Sequence, residues 1–372
     1  MANLIKPKKQ GDWIWIIDSS IQMGSMKCVL ILGVNMDNIR HEKDYTLAHS
    51  DIEPLVLKTV KSCPGEVIKD ALLEARRQTG GSIAVLSDEG SDIKRGVRLY
   101  AQDHPVIHSN DILHKMDLLL KKELEGDDIW KNFTKNTTDT IQQLKLTSSA
   151  HLVPPKQRQK KRLRGEITLI IWGRKLKRYL KKGHPNGLEK LKLSWILGYE
   201  SILNAYQEIG DIFDMTVSEV REKGYYKGIS EIIKARGLKI SVTKRGRCFL
   251  EKAIKTLKEE EEKVPAGMRL LGSSEIIETM FGKFKQLEKN HSSGGLTSLV
   301  LSIAAMAGEL NVSQISEVME RVSINDVNKW KEDNLGETYW SKRRKDMGDN
   351  SYQPSCEEDY LDLDEEINTL CA

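Results

Sequence analysis

Three carboxylates stand where two strand ends and one late helix could gather them. Asp18 closes the apolar run Trp13-Ile14-Trp15-Ile16-Ile17, and Asp88 closes Ile83-Ala84-Val85-Leu86. Glu278 lies far downstream, on the amphipathic stretch Glu275–Glu288. Carboxylates converging from such elements can hold two divalent cations, and two such cations can cut or join phosphodiesters. Oxygen ligands suit hard cations, so Mg2+ or Mn2+ is the expected pair.

Each acid also has a plainer reading. Asp is common in turns, and Ser19 and Ser20 after Asp18 favour one. Asp88 shares its loop with Glu89 and Asp92. Asp88 is preferred because it follows the strand, where the backbone is held most rigidly, and Asp92 is the alternative. Around Glu278, residues Ile276, Ile277, Met280, Phe281, Phe284 and Leu287 form one apolar stripe. Glu275 points away from that stripe into solvent, whereas Glu278 falls at its margin. Lys285 lies about 20° from Glu278 on the helical wheel, where it could touch a DNA phosphate.

The elements needed to position these residues are legible. Trp13–Ile17 and Cys28–Val34 read as an antiparallel hairpin through Gly24-Ser25. A third strand is expected within Tyr45–Val60. Val67, Ile68, Ala71, Leu72 and Ala75 repeat at helical spacing until Gly80-Gly81. Ile83–Leu86 is a buried strand, Val106-Ile107 begins a fifth, and Asp111 caps a helix through Leu113, Met116, Leu119 and Leu120. His114 shares a helix face with Asp111, but the pair reads as a cap and a flank of the packed face. The order is that of an RNase H-like α/β core.

Residues 12–125 are assigned to the first part of this core. Residues 126–264 read as an all-helical insertion, with periodic stretches Ile167–Leu180, Leu188–Ile209, Ile229–Ala235 and Cys248–Leu257. Trp172, Trp195 and Tyr199 lie at helical spacings among Leu and Ile and belong to its core. Residues 265–330 return to the RNase H-like core with the Glu278 helix, a loop over His291–Gly295 and an apolar helix over Leu296–Leu310. Residues 331–372 form a polar to acidic, partly disordered tail.

The 372 residues are 39% hydrophobic and 30% charged, with a net charge of +4. That small total conceals a basic middle, including Lys160, Lys161, Arg162 and Arg164, and an acidic end from Glu357 to Glu366. The basic run continues in Arg174, Lys175, Lys177, Arg178, Lys181 and Lys182. Such a cluster suits a nucleic-acid backbone. Five scattered cysteines without a C-x-x-C pair argue against a zinc site or a disulfide framework and fit a reducing cytoplasm. No apolar run reaches the length of a membrane span, and no signal peptide is evident.

Two strand-end aspartates, a large helical insertion and then a helical glutamate resemble the DDE transposases, specifically those of bacterial insertion sequences. The strings Ile17-Asp18-Ser19-Ser20-Ile21-Gln22-Met23-Gly24 and Ser87-Asp88-Glu89-Gly90-Ser91-Asp92 carry the resemblance. So do Asn110-Asp111-Ile112-Leu113-His114-Lys115 and Ser274-Glu275-Ile276-Ile277-Glu278. It covers residues from about 13 to 310. In the most similar families the last acid belongs to a signature of Tyr, two residues, Arg, three residues, Glu, six residues, Lys. Glu278 and Lys285 match its second half, while Leu271 and Ser274 replace its Tyr and Arg. The resemblance implies Asp18, Asp88 and Glu278 as both catalytic residues and ligands of two Mg2+ or Mn2+ ions. It also implies Lys285, Lys160, Lys161, Arg162 and Arg164 on DNA, with transposon ends and target as the double-stranded partners. A homodimer on DNA and a nucleoid-associated, cytoplasmic setting follow from it. Only seventeen residues precede Asp18, so recognition of the terminal repeat is expected in the insertion, or the chain is a non-catalytic, DNA-binding remnant; another RNase H-like nuclease is the remaining alternative.

Overall fold

The computed structural model describes residues 11–23, 26–39, 44–155, 165–290, 298–308, 312–335 and 345–347. It opens with β1 (Trp13–Met23), β2 (Met26–Asn35) and a short α1 (Met36–Ile39), then β3 (Glu53–Val60), α2 (Gly65–Thr79) and β4 (Ala84–Ser87). There follow α3 (Ser91–Ala101), β5 (Ile107–Asn110) and α4 (Ile112–Glu125). The five strands form one sheet in the order β3-β2-β1-β4-β5. β1 is antiparallel to β2, and β2 to β3, while β1, β4 and β5 run parallel. This is the RNase H-like mixed sheet that the strand order predicts.

Alternation along the strands sorts the core into two layers, because successive side chains point to opposite faces. Trp13, Trp15, Ile17 and Val85 pack with Ile68, Leu72, Val97 and Tyr100 of α2 and α3. α2 stops at Gly80, whose left-handed backbone (φ 80°) lets its N–H reach Arg76 O at 2.8 Å. On the other face Ile14, Ile16, Ala84 and Leu86 pack with Ile112 and Met116 of α4. Everything after α4 is built on that second face.

From α4 onward the described chain is helical. α5 (Asp128–Leu144), α6 (Gly165–Lys182), α7 (Gly187–Leu193), α8 (Glu200–Lys223), α9 (Ile229–Ile240) and α10 (Lys244–Glu261) make the insertion. The expected single helix over Leu188–Ile209 is broken by a 3-10 segment, Ser194–Tyr199, between α7 and α8. Apolar spacing continues through that break because Trp195 and Tyr199 pack against Phe133, with ring centroids 5.8 and 5.5 Å away. Trp172 lies 6.3 Å from Trp195 in the same cluster. All three therefore serve the packing, as expected. The long α8 packs against α4, α6, α9 and α10 and ties the insertion to the core.

The return is made by a short bridge. Tyr225 and Leu270 exchange backbone hydrogen bonds of 2.7 and 3.0 Å. Gly272 follows, so close to α8 that a Cβ would lie 2.2 Å from Val220 Cγ1. Then come α11 (Glu275–Lys289), α12 (Ser302–Ala305), α13 (Val312–Arg321) and α14 (Ile324–Asn334). Where an apolar helix is expected over Leu296–Leu310, the described residues form a 3-10 turn, Ser298–Leu301, running into the short α12, with Val300 and Ile303 buried, and residues 296, 297, 309 and 310 lie outside them. A break at residue 331 would fall inside α14, whose Asn334 O accepts a hydrogen bond from Thr59 Oγ1 of β3 at 2.7 Å. The hairpin turn at Gly24-Ser25, the loop His291–Gly295 and most of the acidic tail lie outside the described residues.

At the other edge of the sheet, β5 is covered by a buried carboxylate. Glu260 of α10 accepts from Asn110 N–H (3.2 Å) and Nδ2 (2.7 Å) and pairs with Lys115 and Lys263, both at 2.8 Å. Burial pushes its pKa up, but these partners outweigh burial and hold it below the ordinary value. No helix among the described residues is long and apolar enough to cross a membrane.

Candidate acidic active site

The sheet register places three aspartates side by side. Ile17 pairs with Ser87, and Ser87 pairs with Asn110. The next residues are Asp18, Asp88 and Asp111, at the carboxyl ends of neighbouring parallel ladders. Asp18 is buried and belongs with Ile14 and Ile16 on the second face. β1 does not end there, as the sequence suggests, but runs on to Met23. What ends is its pairing with β4, after Ile17. β1 then bulges, with one extra residue between Asp18 and Ile21 opposite β2. A bulge bends a strand and re-aims the side chains beside it. Cys28 of β2 has its thiol pushed up to about 12, first by burial and then by the negative charge of Asp18.

Asp88 is half-buried, and its Oδ1 accepts the Gly90 N–H at 3.0 Å, closing a tight turn after β4. Beneath it, Ser87 Oγ meets His108 Nε2 at 2.8 Å. Burial, then the charge of Lys263, lowers that imidazole to about 4, so it stays neutral. Asp92 is exposed in the first turn of α3, the helix packed on the opposite face, and its charge acts on Cys63 of that layer. The structure thus sets Asp88, not Asp92, beside Asp18.

Glu278 comes to the same rim on α11. Ile277, Met280, Phe281 and Phe284 bury that helix against the second face, while Leu287, expected in the stripe, is exposed. Glu278 stays open to solvent beside the packed stripe. The protein packed round its carboxyl, then the charges of Asp111, Asp18, Glu275 and Asp88, push its pKa up to about 7. Four acids crowding one carboxyl make a strongly negative rim. Glu275 does not simply face solvent, since it pairs with Arg221 of α8 at 2.9 Å. Lys285 is exposed two turns along α11 from Glu278.

Asp111 is the N-cap of α4, as its sequence suggests, with Oδ1 accepting His114 N–H at 2.8 Å. Its second oxygen has a partner that sequence reasoning missed. Oδ2 accepts both the N–H (2.6 Å) and the Oγ–H (2.8 Å) of Ser274, directly before α11.

The donor set is all carboxylate oxygen, which fits Mg2+ or Mn2+, and a cation would relieve the repulsion that raises Glu278. As the side chains stand they do not close round one point. Among the described residues, no three His, Cys, Asp or Glu groups are arranged to hold a metal ion. A cavity of about 610 Å3 lies elsewhere, among Asp12, Tyr45, Glu222 and Arg269.

On the insertion, α6 carries a charged outer face. Lys177 and Lys181 pair with Glu200 at 3.2 and 2.6 Å. Lys175, Arg178 and Lys182 are exposed at i, i+3 and i+7, with no ion-pair partner among the described residues. Lys160, Lys161, Arg162 and Arg164, just ahead of α6, lie outside the described residues.

No known family matches the chain, and no curated protein does. Among solved structures, the Drosophila P element transposase strand transfer complex is similar over 82% of this chain and 79% of that one, with a TM-score of 0.41 and 11% identity.

Proposed function

We propose that this chain is a DNA transposase of the DDE type, of a bacterial insertion sequence. One observation carries the reading. Asp18 and Asp88 both directly follow the last pair of the parallel β1–β4 ladder, on the face where α11 brings a Glu278 that feels both their charges. Residues 12–125 and 265–330 would be the two parts of the catalytic core, 126–264 the insertion and 331–372 a tail.

Asp18, Asp88 and Glu278 would hold two Mg2+ or Mn2+ ions, which supply activation of a water or a DNA 3′-hydroxyl and stabilisation of the departing 3′-oxygen. The protein's own part is positioning. Asp18 and Asp88 directly follow the last pair of the β1–β4 ladder, Ile17 with Ser87, so the sheet would set the spacing of their backbones before DNA arrives. Glu278 lies open at the rim, on a helix anchored by buried apolar side chains, and its carboxyl can swing towards the aspartates. Lys285 and the outer face of α6, with Lys160, Lys161, Arg162 and Arg164 before it, would hold the double-stranded DNA backbone of transposon ends and target. The protein would act as a homodimer on paired ends.

The test is cleavage, with Mg2+ or Mn2+, of a supercoiled plasmid bearing the DNA that flanks the coding region. Strand cleavage followed by joining to a second plasmid is the expected result. A second reading, a non-catalytic DNA-binding protein, is favoured by Leu271 and Ser274 standing where the signature has Tyr and Arg. Salt-sensitive binding of the same DNA, with no cutting under either cation, would select it.

A further inference from the structure

We infer that Asp111 is a positioning residue for the cleavage reaction, one carboxylate that fixes the helix of Glu278 against the strand ends of Asp18 and Asp88. The inference rests on the proposed function and adds a residue and a role to it.

Asp111 occupies the third position in the row, one strand beyond Asp88. By alternation from Ile107, which packs on the second face, it is directed towards the side where α11 lies. It is 5% exposed, and both its oxygens are engaged. Oδ1 caps α4 through His114 N–H, and Oδ2 accepts the N–H and Oγ–H of Ser274, the residue directly before α11. The backbone joins the same knot. Asp111 N–H donates to Ser87 O at 2.9 Å, extending the β4–β5 ladder, and Ile112 N–H donates to Gly272 O at 2.9 Å.

The consequence is geometric. Ser274 precedes Glu278 by one helical turn, so its anchor helps to set where that turn begins and how it is rotated. Two directed hydrogen bonds onto one buried oxygen resist rotation of a partly exposed helix end. The buried stripe holds α11 against the core, but contacts along an apolar face resist sliding less than directed hydrogen bonds do. Asp111 therefore acts through Ser274 on Glu278 and spends its oxygens on amides and a hydroxyl.

The experiment uses the full-length protein, Mn2+ as the probe cation, and a supercoiled plasmid bearing the flanking DNA. Four readouts are taken: Mn2+ binding by electron paramagnetic resonance, the Mn2+ concentration for half-maximal cleavage, plasmid affinity and the melting temperature. Asp111→Asn places an amide donor against one of the donors that the carboxylate now accepts. It is expected to weaken Mn2+ binding about tenfold, as loss of a ligand-orienting partner does. Cleavage should fall roughly hundredfold, with DNA affinity kept. Ser274→Ala removes only the hydroxyl bond and should move the same readouts less, and Ser274→Thr should restore them.

Should Asp111→Asn not fold, Ser274→Ala and Ser274→Thr carry the test alone. Wild-type Mn2+ binding and cleavage in Asp111→Asn and Ser274→Ala, with only the melting temperature lowered, would overturn the inference and leave the proposed function standing. A wild-type protein that neither binds Mn2+ nor cuts would remove that function, and the inference with it.

Discussion

Asp111 and Ser274 are 163 positions apart in the chain, yet the carboxylate of one accepts both the N–H and the hydroxyl of the other, at 2.6 and 2.8 Å. The contact closes the whole helical insertion into a loop that begins and ends at the acidic rim. The chain thereby returns to the sheet beside the strand ends that carry Asp18 and Asp88.

Asp88 and Asp92 are separated by one turn of chain but lie against opposite layers of the sheet. Asp88→Ala should abolish plasmid cleavage and leave DNA binding in place. Asp92→Ala should cut within about twofold of wild type, as surface substitutions remote from a site usually do. Normal cutting by Asp88→Ala would refute the assignment.

Glu278 gives a pH dependence of definite sign. Its carboxyl is pushed up to about 7 in the fold, against an ordinary 4.5. Between those values the folded state holds more protons than the unfolded one, so stability falls as pH rises through the window. The penalty is absent below the lower value and fully present above the upper one. In a chelator, Glu278→Gln should therefore melt higher than wild type at pH 8 and at the same temperature near pH 4. Added Mg2+ should raise wild type towards the variant at pH 8. A lower melting point for Glu278→Gln at pH 8 in chelator would contradict this.

Much of this architecture was legible before the fold was known. Apolar runs marked β1, β2 and β4, and Asp111 announced α4, because alternation and capping are local rules. Three misreadings have non-local causes. Asp18 looked like a strand terminus, but the bulge after it is set by pairing with β2. The break between α7 and α8 was hidden because Trp195 and Tyr199 keep the apolar spacing while packing on a distant Phe133. Glu275 looked solvent-facing because its partner, Arg221, comes from the insertion. Nothing near Asp111 or Ser274 in sequence announces their contact, since it exists only once the insertion has folded back.

The return point should be intolerant of added volume. In Gly272→Ala the new methyl would lie 2.2 Å from Val220 Cγ1 and 2.9 Å from the Tyr225 ring. Overpacking of this kind costs about 1–3 kcal/mol, read as a lower urea midpoint. Val220→Ala in the same chain should return part of the loss. An unchanged midpoint for Gly272→Ala would mean that the approach of this segment to α8 is looser than described.

The outer face of α6 should show in the salt dependence of binding. If Lys175, Arg178 and Lys182 each neutralise a phosphate, replacing one with Ala should flatten the plot of log affinity against log salt by about 0.9. The effect should not depend on the DNA sequence used. Unchanged slopes for all three variants would take this face out of the interface.

The central claim is that Asp18, Asp88 and Glu278 form one pocket for paired divalent cations. Calorimetric titration of Mn2+ into the wild-type protein on its DNA, beside Asp18→Asn, Asp88→Asn and Glu278→Gln, tests it most directly. Two ions per wild-type chain, with at least one site lost in every variant, is the predicted result. Wild-type stoichiometry and affinity in all three variants would contradict it.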